Sequence, residues 1–349
     1  MAPDEGPVER WNPVTAPGWD ALVRQHLQHT FFHGAAWGRV LLGAYGYEPA
    51  YFVAPEGSGA PAVLPLMEVN SWLTGRRGVG LPFTDFSGPL CNSRKGWEKV
   101  WQAAVAWGRE RQWKYLECRG GREWLPEAPV AVSFWGHDLE LARSEAGLFE
   151  DLESSTRRAI RKGEKSGVEV RVTQRTEDLR EFYRLLCRTR KRHGLPPQPW
   201  SFFQRIQDEI IARDEGVIVT ARRAQRVIAG AVYFHGAGKV IYKYGAADER
   251  WQQFRGANLV MWEAIKWYRA TGAKNLHFGR TSKWNEGLRR FKLGWGTREE
   301  LIEYFRFAPG ENRFLVGGDE AQGWHNRVFR GLPIPVLRII GKLLYRHSA

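Results

Sequence analysis

Residues 230–296 read GAVYFHGAGKVIYKYGAADERWQQFRGANLVMWEAIKWYRATGAKNLHFGRTSKWNEGLRRFKLGWG, and the fold is decided in this stretch. Val227–Phe234 and Lys239–Ala246 are β-rich runs joined by His235-Gly236-Ala237-Gly238, which predicts two antiparallel strands. Val217–Ala221 reads as a further strand ahead of them, joined through Arg222–Gln225. A Trp-rich amphipathic helix follows, then a strand over Lys274–Phe278 and a short polar stretch. The loop Gln253-Phe254-Arg255-Gly256-Ala257-Asn258 opens that helix, where free first-turn amides and the helix dipole favour an anionic ligand.

The pattern occurs twice. A shift of 160 residues carries Lys99–Gly120 onto Leu259–Arg280, placing Val100 on Val260, Trp107 on Trp267, Arg109 on Arg269, Lys114 on Lys274 and Leu116 on Leu276. In the first half, Tyr51–Ala54 and Ala62–Val69 flank the Gly-rich turn Pro55–Gly59, and Lys114–Cys118 is the strand after the helix. A period this long means two copies of one domain, not a solenoid. The 349 residues suit two cores of about 150 each. The expectation is a mixed α/β chain with a first domain over 1–150, a second over 151–310 and a basic amphipathic tail over 311–349.

Composition narrows the class. With 43% hydrophobic and 26% charged residues the chain is globular rather than disordered. Its net charge of +14 is uneven: residues 1–150 carry 14 basic and 17 acidic side chains, residues 151–349 carry 38 and 21. The back half therefore expects an anionic partner, such as nucleic acid, a phosphorylated substrate or a lipid headgroup. Cys91, Cys118 and Cys187 are isolated, which excludes a disulfide framework and a zinc ribbon and fits a reducing cytoplasm. Met1–Pro13 lacks the apolar core of a signal peptide, and no apolar run reaches the ~18–20 residues of a spanning helix.

Several chemistries find no support. There is no G-x-S-x-G elbow, and Gly236-Ala237-Gly238-Lys239 lacks the spacing of a P-loop. Gly78-Val79-Gly80 does not continue into a dinucleotide fingerprint. His26, His29 and His33 fall at helical spacing, but without a nearby carboxylate they read as core or surface residues rather than a metal site.

Two basic helices follow the first domain. Asp151–Gly167, with Ser154, Ser155 or Thr156 as N-cap, places Arg158, Arg161, Lys162 and Lys165 on one face, either a solvated surface or a phosphate contact. Glu177–His193 holds Arg188, Arg190, Lys191 and Arg192 and stops at Gly194. Near the end of the chain, Pro333–Arg346 sets Val336, Ile339, Ile340, Leu343 and Leu344 against Arg338, Lys342 and Arg346. Two readings of that pattern stay open: a helix on an anionic leaflet, and a helix docked on the protein core.

The loop Gln253–Asn258 is similar to the pyrophosphate loop of the GNAT acyltransferases, with Asn258 where the third small residue stands. The wider sequence resembles the FemAB family. The matching pieces are Arg157-Arg158…Arg161-Lys162…Gly167-Val168-Glu169-Val170, Tyr244-Gly245-Ala246, Phe278-Gly279-Arg280 and above all Phe291-Lys292-x-Gly294-Trp295-Gly296. Leu81-Pro82-Phe83-Thr84-Asp85-Phe86-Ser87-Gly88-Pro89 resembles the family's substrate-lining loop, and 326–347 resembles the tail of its exosortase-associated relatives. The resemblance implies two tandem GNAT-like domains. It also implies transfer of an aminoacyl or acyl group to an amine of a peptidoglycan or polysaccharide precursor, with aminoacyl-tRNA or acyl-CoA as donor and no metal. From its cysteines, its N-terminus and its lack of a spanning run, the chain is expected in the cytoplasm, or at most held at the inner face of an anionic membrane.

Under that resemblance the roles fall as follows. Lys292 matches the family's catalytic Phe-Lys position and would stabilise the oxyanion or the leaving hydroxyl; without it, Lys292 reads as a surface lysine beside Phe291. Phe291, Gln253 and Gly256 would bind substrate, and Arg280 and Arg158 would grip phosphate. Tyr244 and Asp85 would orient or deprotonate the amine, or serve structure alone. The active site is expected in a cleft shared by the two domains, with no covalent intermediate. A different class of reading is a non-catalytic basic adaptor for RNA or membrane.

Overall fold

The runs VIVTA (217–221) and VIAGAVYF (227–234) are near-continuously apolar rather than alternating, the mark of strands covered on both faces. The computed structural model, which describes residues 6–57, 59–317 and 325–348, covers them in this way. One face carries Val217, Val219, Ala231 and Tyr233, packed in a single core with Leu259, Ala264 and Ile265 of the helix Gly256–Ala270 and Ile160 of the helix Ser154–Glu164. On the other face Gly230 admits Phe182 of the helix Thr176–Arg192, whose ring would stand 3.1 Å from a Cβ there.

The chain divides into two compact units, Met1–Phe134 with Leu301–Glu320 and Leu344–Ala349, and Trp135–Glu300 with Ala321–Leu343. Residues 318–324 of the expected tail lie outside the described residues. In the second unit the strands run in the order Val132–Glu140, Asn275–His277, Lys239–Ala247, Arg226–Gly236, Gly216–Arg223, Glu169–Thr173. In the first unit the order is Glu48–Pro49, Met67–Ser71, Gly75–Val79, Leu116–Arg119 and then Arg298–Ala308.

The repeat has a physical counterpart. Each unit holds an antiparallel hairpin, a long helix, and a strand that returns parallel to the hairpin's second arm: Gly78↔Leu116 in one, Val240↔Leu276 in the other. The matched residues do matched work. Arg109 Nε donates to the Pro309 carbonyl and Arg269 Nε to the Arg143 carbonyl, at 2.9 and 2.8 Å. Lys114 and Lys274 donate their amides to the Arg76 and Gly238 carbonyls.

The unit boundaries differ from the expected divides at 150 and 310, because the closing strand of each unit comes from the other half of the chain. Leu116–Arg119 pairs antiparallel with Tyr304–Phe307, and Asn275–His277 pairs antiparallel with Asp138–Glu140. Three further expectations are corrected. Ala62–Val69 is two strands, Ala62–Leu64 and Met67–Ser71, which join different sheets because Pro65 offers no amide between them. The helix Ser154–Glu164 has Glu153 at its N-cap, with no side-chain capping bond to its first amides. His26, His29 and His33 are not on one helix; His33 ends a 3-10 turn, buried, with Nε2 2.9 Å from the Gly88 carbonyl.

Candidate active site

The site grows from the place where two parallel strands part. Lys239–Ala247 pairs with Asn275–His277 only from Lys239 to Ile241, yet runs on against Arg226–Gly236 as far as Ala247. Past His277 the chain turns through Gly279 at φ +69°, a conformation that favours glycine. The parallel ladder therefore stops at a notch, beyond which, among the described strands, Tyr242–Ala247 pairs with Arg226–Gly236. Lys243 is bulged between the pairs Val232↔Tyr244 and Tyr233↔Tyr242, which sharpens the bend. Gly245 is required beside it, since a Cβ there would fall 1.7 Å from the Tyr242 hydroxyl.

Lys292 holds the parted strand in place. It lies on the helix Glu286–Leu293, started by Asn285 accepting from the Leu288 amide, and is only 2% exposed. Its Nζ donates to the carbonyls of Gly279 at 2.8 Å and Arg280 at 3.1 Å. The surface-lysine reading is thereby removed, because a snorkelling ammonium reaches water and this one reaches backbone carbonyls. Beside it His137 is fully buried, Nε2 3.1 Å from Glu299 Oε1, and burial together with the Lys292 charge pushes its imidazole down to about 4. His137 is thus neutral near pH 7. Glu299 is gripped bidentately by Arg289 at 2.8 and 2.7 Å, which holds its carboxyl below the usual range. His277 Nδ1 accepts from the Gly279 amide at 3.0 Å, and its Nε2 lies 3.3 Å from Glu300 Oε1.

A cavity of about 280 Å³ opens at the start of the helix Gly256–Ala270. Arg192, Trp251, Gln252, Arg255, Gly256 and Phe291 line it. Arg255 stands at φ +55° as N-cap, and its carbonyl already takes the Asn258 and Leu259 amides, so Gly256 and Ala257 present the first-turn donors. Gly256 allows the helix to sit on its strand: a Cβ would meet Ile228 at 3.1 Å and Ala229 at 3.3 Å. Around the mouth, Arg250 holds Asp248 below its usual pKa and Arg192 pairs with Glu249 at 3.1 Å. Arg188, Arg192, Arg250 and Arg255 against Asp248 and Glu249 leave the mouth positive.

The corresponding helix of the first unit, Arg94–Glu110, starts differently. The 160-residue shift sets Gly96 on Gly256, but there the carboxylate of Glu56 accepts from the amides of Asn92 and Ser93 at 2.9 and 2.8 Å and from the Ser93 hydroxyl. Ser93 Oγ in turn accepts from the Gly96 amide. A fixed side-chain anion occupies the helix terminus that the second unit leaves open.

The other candidate residues scatter. Gly256 and Phe291 share the cavity, whereas Gln253 is exposed on the 3-10 turn Glu249–Phe254 and Gln252 lines the cavity instead. Arg280 joins through its carbonyl. Tyr244 is half-buried with its ring against Phe203 and Phe202. Arg158 is exposed on its helix, away from the cavity lining. Asp85 belongs to the first unit, buried, its carbonyl accepting from the Tyr304 hydroxyl at 2.6 Å. The loop around it is strained, with Leu81 and Phe83 at φ +40° and +62°, and Arg119 and Tyr304 hold its carbonyls. The spacing of residues had not pointed to His137, Glu299 or Trp251; Arg192 was visible only as part of a basic cluster. Among the described residues no cluster of three or more His, Cys, Asp or Glu side chains is placed to hold a metal.

The second unit thus sets a helix start that opens on a positive cavity beside two parallel strands that part after Ile241. Residues 151–300 match the acetyltransferase (GNAT) domain family. The matched stretch holds the cavity, the parted strands and Lys292. The fold of the chain is similar to the crystal structure of FemX at 14% identity, with 85% of this chain and 97% of that one covered and a TM-score of 0.69. It is also similar to the C-terminal domain of a putative lysylphosphatidylglycerol synthetase from Agrobacterium fabrum (12%, 82% and 89%, 0.54). A tandem GNAT protein from the clavulanic acid biosynthesis pathway superposes at 8% identity over 78% and 88% with a TM-score of 0.50. The tandem GNAT-like architecture is therefore shown. No curated protein sequence matches the chain.

Proposed function

We propose that the chain is an N-acyltransferase whose donor is held by the second unit alone. The observation that carries this reading is the contrast between two equivalent helix starts: one is filled by Glu56, the other opens on the positive cavity at Gly256. The cavity suits a phosphate-bearing donor. Two free amides and Arg255 meet a pyrophosphate, the Tyr242–Ala247 edge meets an extended arm, and Phe291 closes the side. An acyl-CoA donor fits these features directly. The exposed row Arg158, Arg161, Lys162 and Lys165 favours an aminoacyl-tRNA as second donor class.

In the reaction the amine attacks the acyl carbon; the new C–N bond forms, the bond to the leaving sulfur or oxygen breaks, and the amine proton passes to solvent or the leaving group. Negative charge gathers on the acyl oxygen. Lys292 places a buried positive charge next to the parted strand and fixes the Gly279 and Arg280 carbonyls, so the notch keeps its shape as that charge develops. Neutral His137 beside it adds no competing charge. Tyr244 is proposed to orient the amine, and Arg280 a phosphate of the acceptor. The acceptor is inferred to be an amine of a cell-envelope precursor, on the resemblance carried by the Phe-Lys element.

The test is a titration of the intact chain with acetyl-CoA and, separately, with charged tRNA. One donor is expected to bind at a single site per chain and be consumed with an amine acceptor. Two equivalent sites, or no binding of either donor, would overturn the reading.

A further inference from the structure

The C-terminal helix Ile334–Leu344 docks by one face and keeps a second apolar stripe outside. Leu337 is fully buried, and Gly341 lies so close to Pro196-Pro197 that a Cβ would fall 2.0 Å from the Pro197 carbonyl oxygen. These residues answer the core-docking alternative of the sequence. They leave Val336, Ile339 and Leu343, at i, i+3 and i+7, on a different stripe, with Ile339 62% and Leu343 61% exposed. A helix serving only the core turns its apolar residues inward and its polar ones out. The preceding helix His325–Gly331 adds exposed Val328 between Arg327 and Arg330.

Charge selects the occupant. From 321 to 349 the chain contains Arg327, Arg330, Arg338, Lys342 and Arg346 and no Asp or Glu. A second copy would bring two such sets face to face and repel. An anionic bilayer surface attracts one set and takes the apolar stripe into its headgroup boundary. Eleven residues span about 16 Å, far short of a bilayer, and among the described residues no helix is long and apolar enough to cross one. The first unit carries a similar feature. Trp72 (86% exposed) and Leu73 form the tip between Met67–Ser71 and Gly75–Val79, and the Trp72 ring stands edge-on to His347 at 5.6 Å. Exposed tryptophan beside basic residues is the usual composition of a membrane-water boundary.

We propose that the stripe Val336, Ile339 and Leu343 with its basic flank is a docking surface for an anionic lipid bilayer. The proposal does not depend on the acyl-transfer reading. Its test is co-sedimentation of the full chain with vesicles of mixed phosphatidylglycerol and phosphatidylcholine, and with phosphatidylcholine alone. Binding is expected to the mixed vesicles only and to weaken with salt. The double variant Ile339→Glu, Leu343→Glu should lose binding with its thermal midpoint unchanged, because both side chains are exposed. Arg330→Gln with Lys342→Gln should weaken it about 25-fold, at about fivefold per charge. Equal binding by the double glutamate variant would overturn the proposal. So would absence of binding by the parent chain, or a concentration-dependent dimer in gel filtration that the double variant dissolves.

Discussion

Replacing Lys292 by Met removes two charge-assisted hydrogen bonds to backbone carbonyls, at 2.8 and 3.1 Å, from a site 2% exposed. Bonds of that kind contribute about 1.5–3 kcal/mol each. Loss of the buried ammonium also removes its own desolvation cost, which offsets part of the sum. We expect a net loss of about 2–4 kcal/mol, a fall in the thermal midpoint of about 4–16 °C for a unit of this size. With the Gly279 and Arg280 carbonyls unheld, the notch loses its shape, and turnover per folded molecule should fall at least about a hundredfold, the effect of one missing oxyanion donor. The assay pairs thermal unfolding by circular dichroism with donor consumption at 20 °C, normalised to the folded fraction. A destabilised variant with undiminished normalised turnover would confine Lys292 to structure. An undiminished midpoint would refute the carbonyl clamp itself.

Three further outcomes are expected. Gly256→Val should weaken donor binding at least about tenfold in a calorimetric titration, since even a Cβ meets Ile228 at 3.1 Å and the helix start must shift; unchanged affinity would detach the cavity from the donor. Glu56→Ala should cost about 1–2 kcal/mol in urea unfolding, as an exposed N-terminal cap does, and leave donor affinity unchanged; altered affinity would contradict the single-site reading. His33 is buried with its pKa pushed down by burial to about 4, so between that value and the unfolded value near 6.5 the unfolded chain binds the extra proton. Its contribution is therefore present above pH 6.5 and lost as pH falls, about 2 kcal/mol between pH 7 and pH 5. A stability curve flat across that interval would show His33 charged in the native state.

Much of the fold could be read in advance. Gly216–Arg223, Arg226–Gly236 and Lys239–Ala247 lie within two residues of the expected strands at every end, because turn glycines and unbroken apolar runs are local signals. The helix Trp200–Glu209 passed unread, hidden behind the Pro196–Pro199 segment. The candidate site was half legible. Gly256 and Phe291 share a cavity and Lys292 is buried, but Gln253 lies outside the cavity lining and the side chains grouped around Lys292 come from distant strands.

By itself, then, the order of residues determined the hairpin–helix–strand unit, its repetition after 160 positions and the anion-favouring helix start, since periodicity, turns and caps depend on neighbours a few residues apart. Only the tertiary structure decided which of the two helix starts is open, which half of the chain closes each sheet and what Lys292 holds. Glu56 reaches Asn92 across 36 residues, and Tyr304 lies opposite Arg119 in the sheet. Such meetings depend on how the whole chain packs, and no local pattern encodes them.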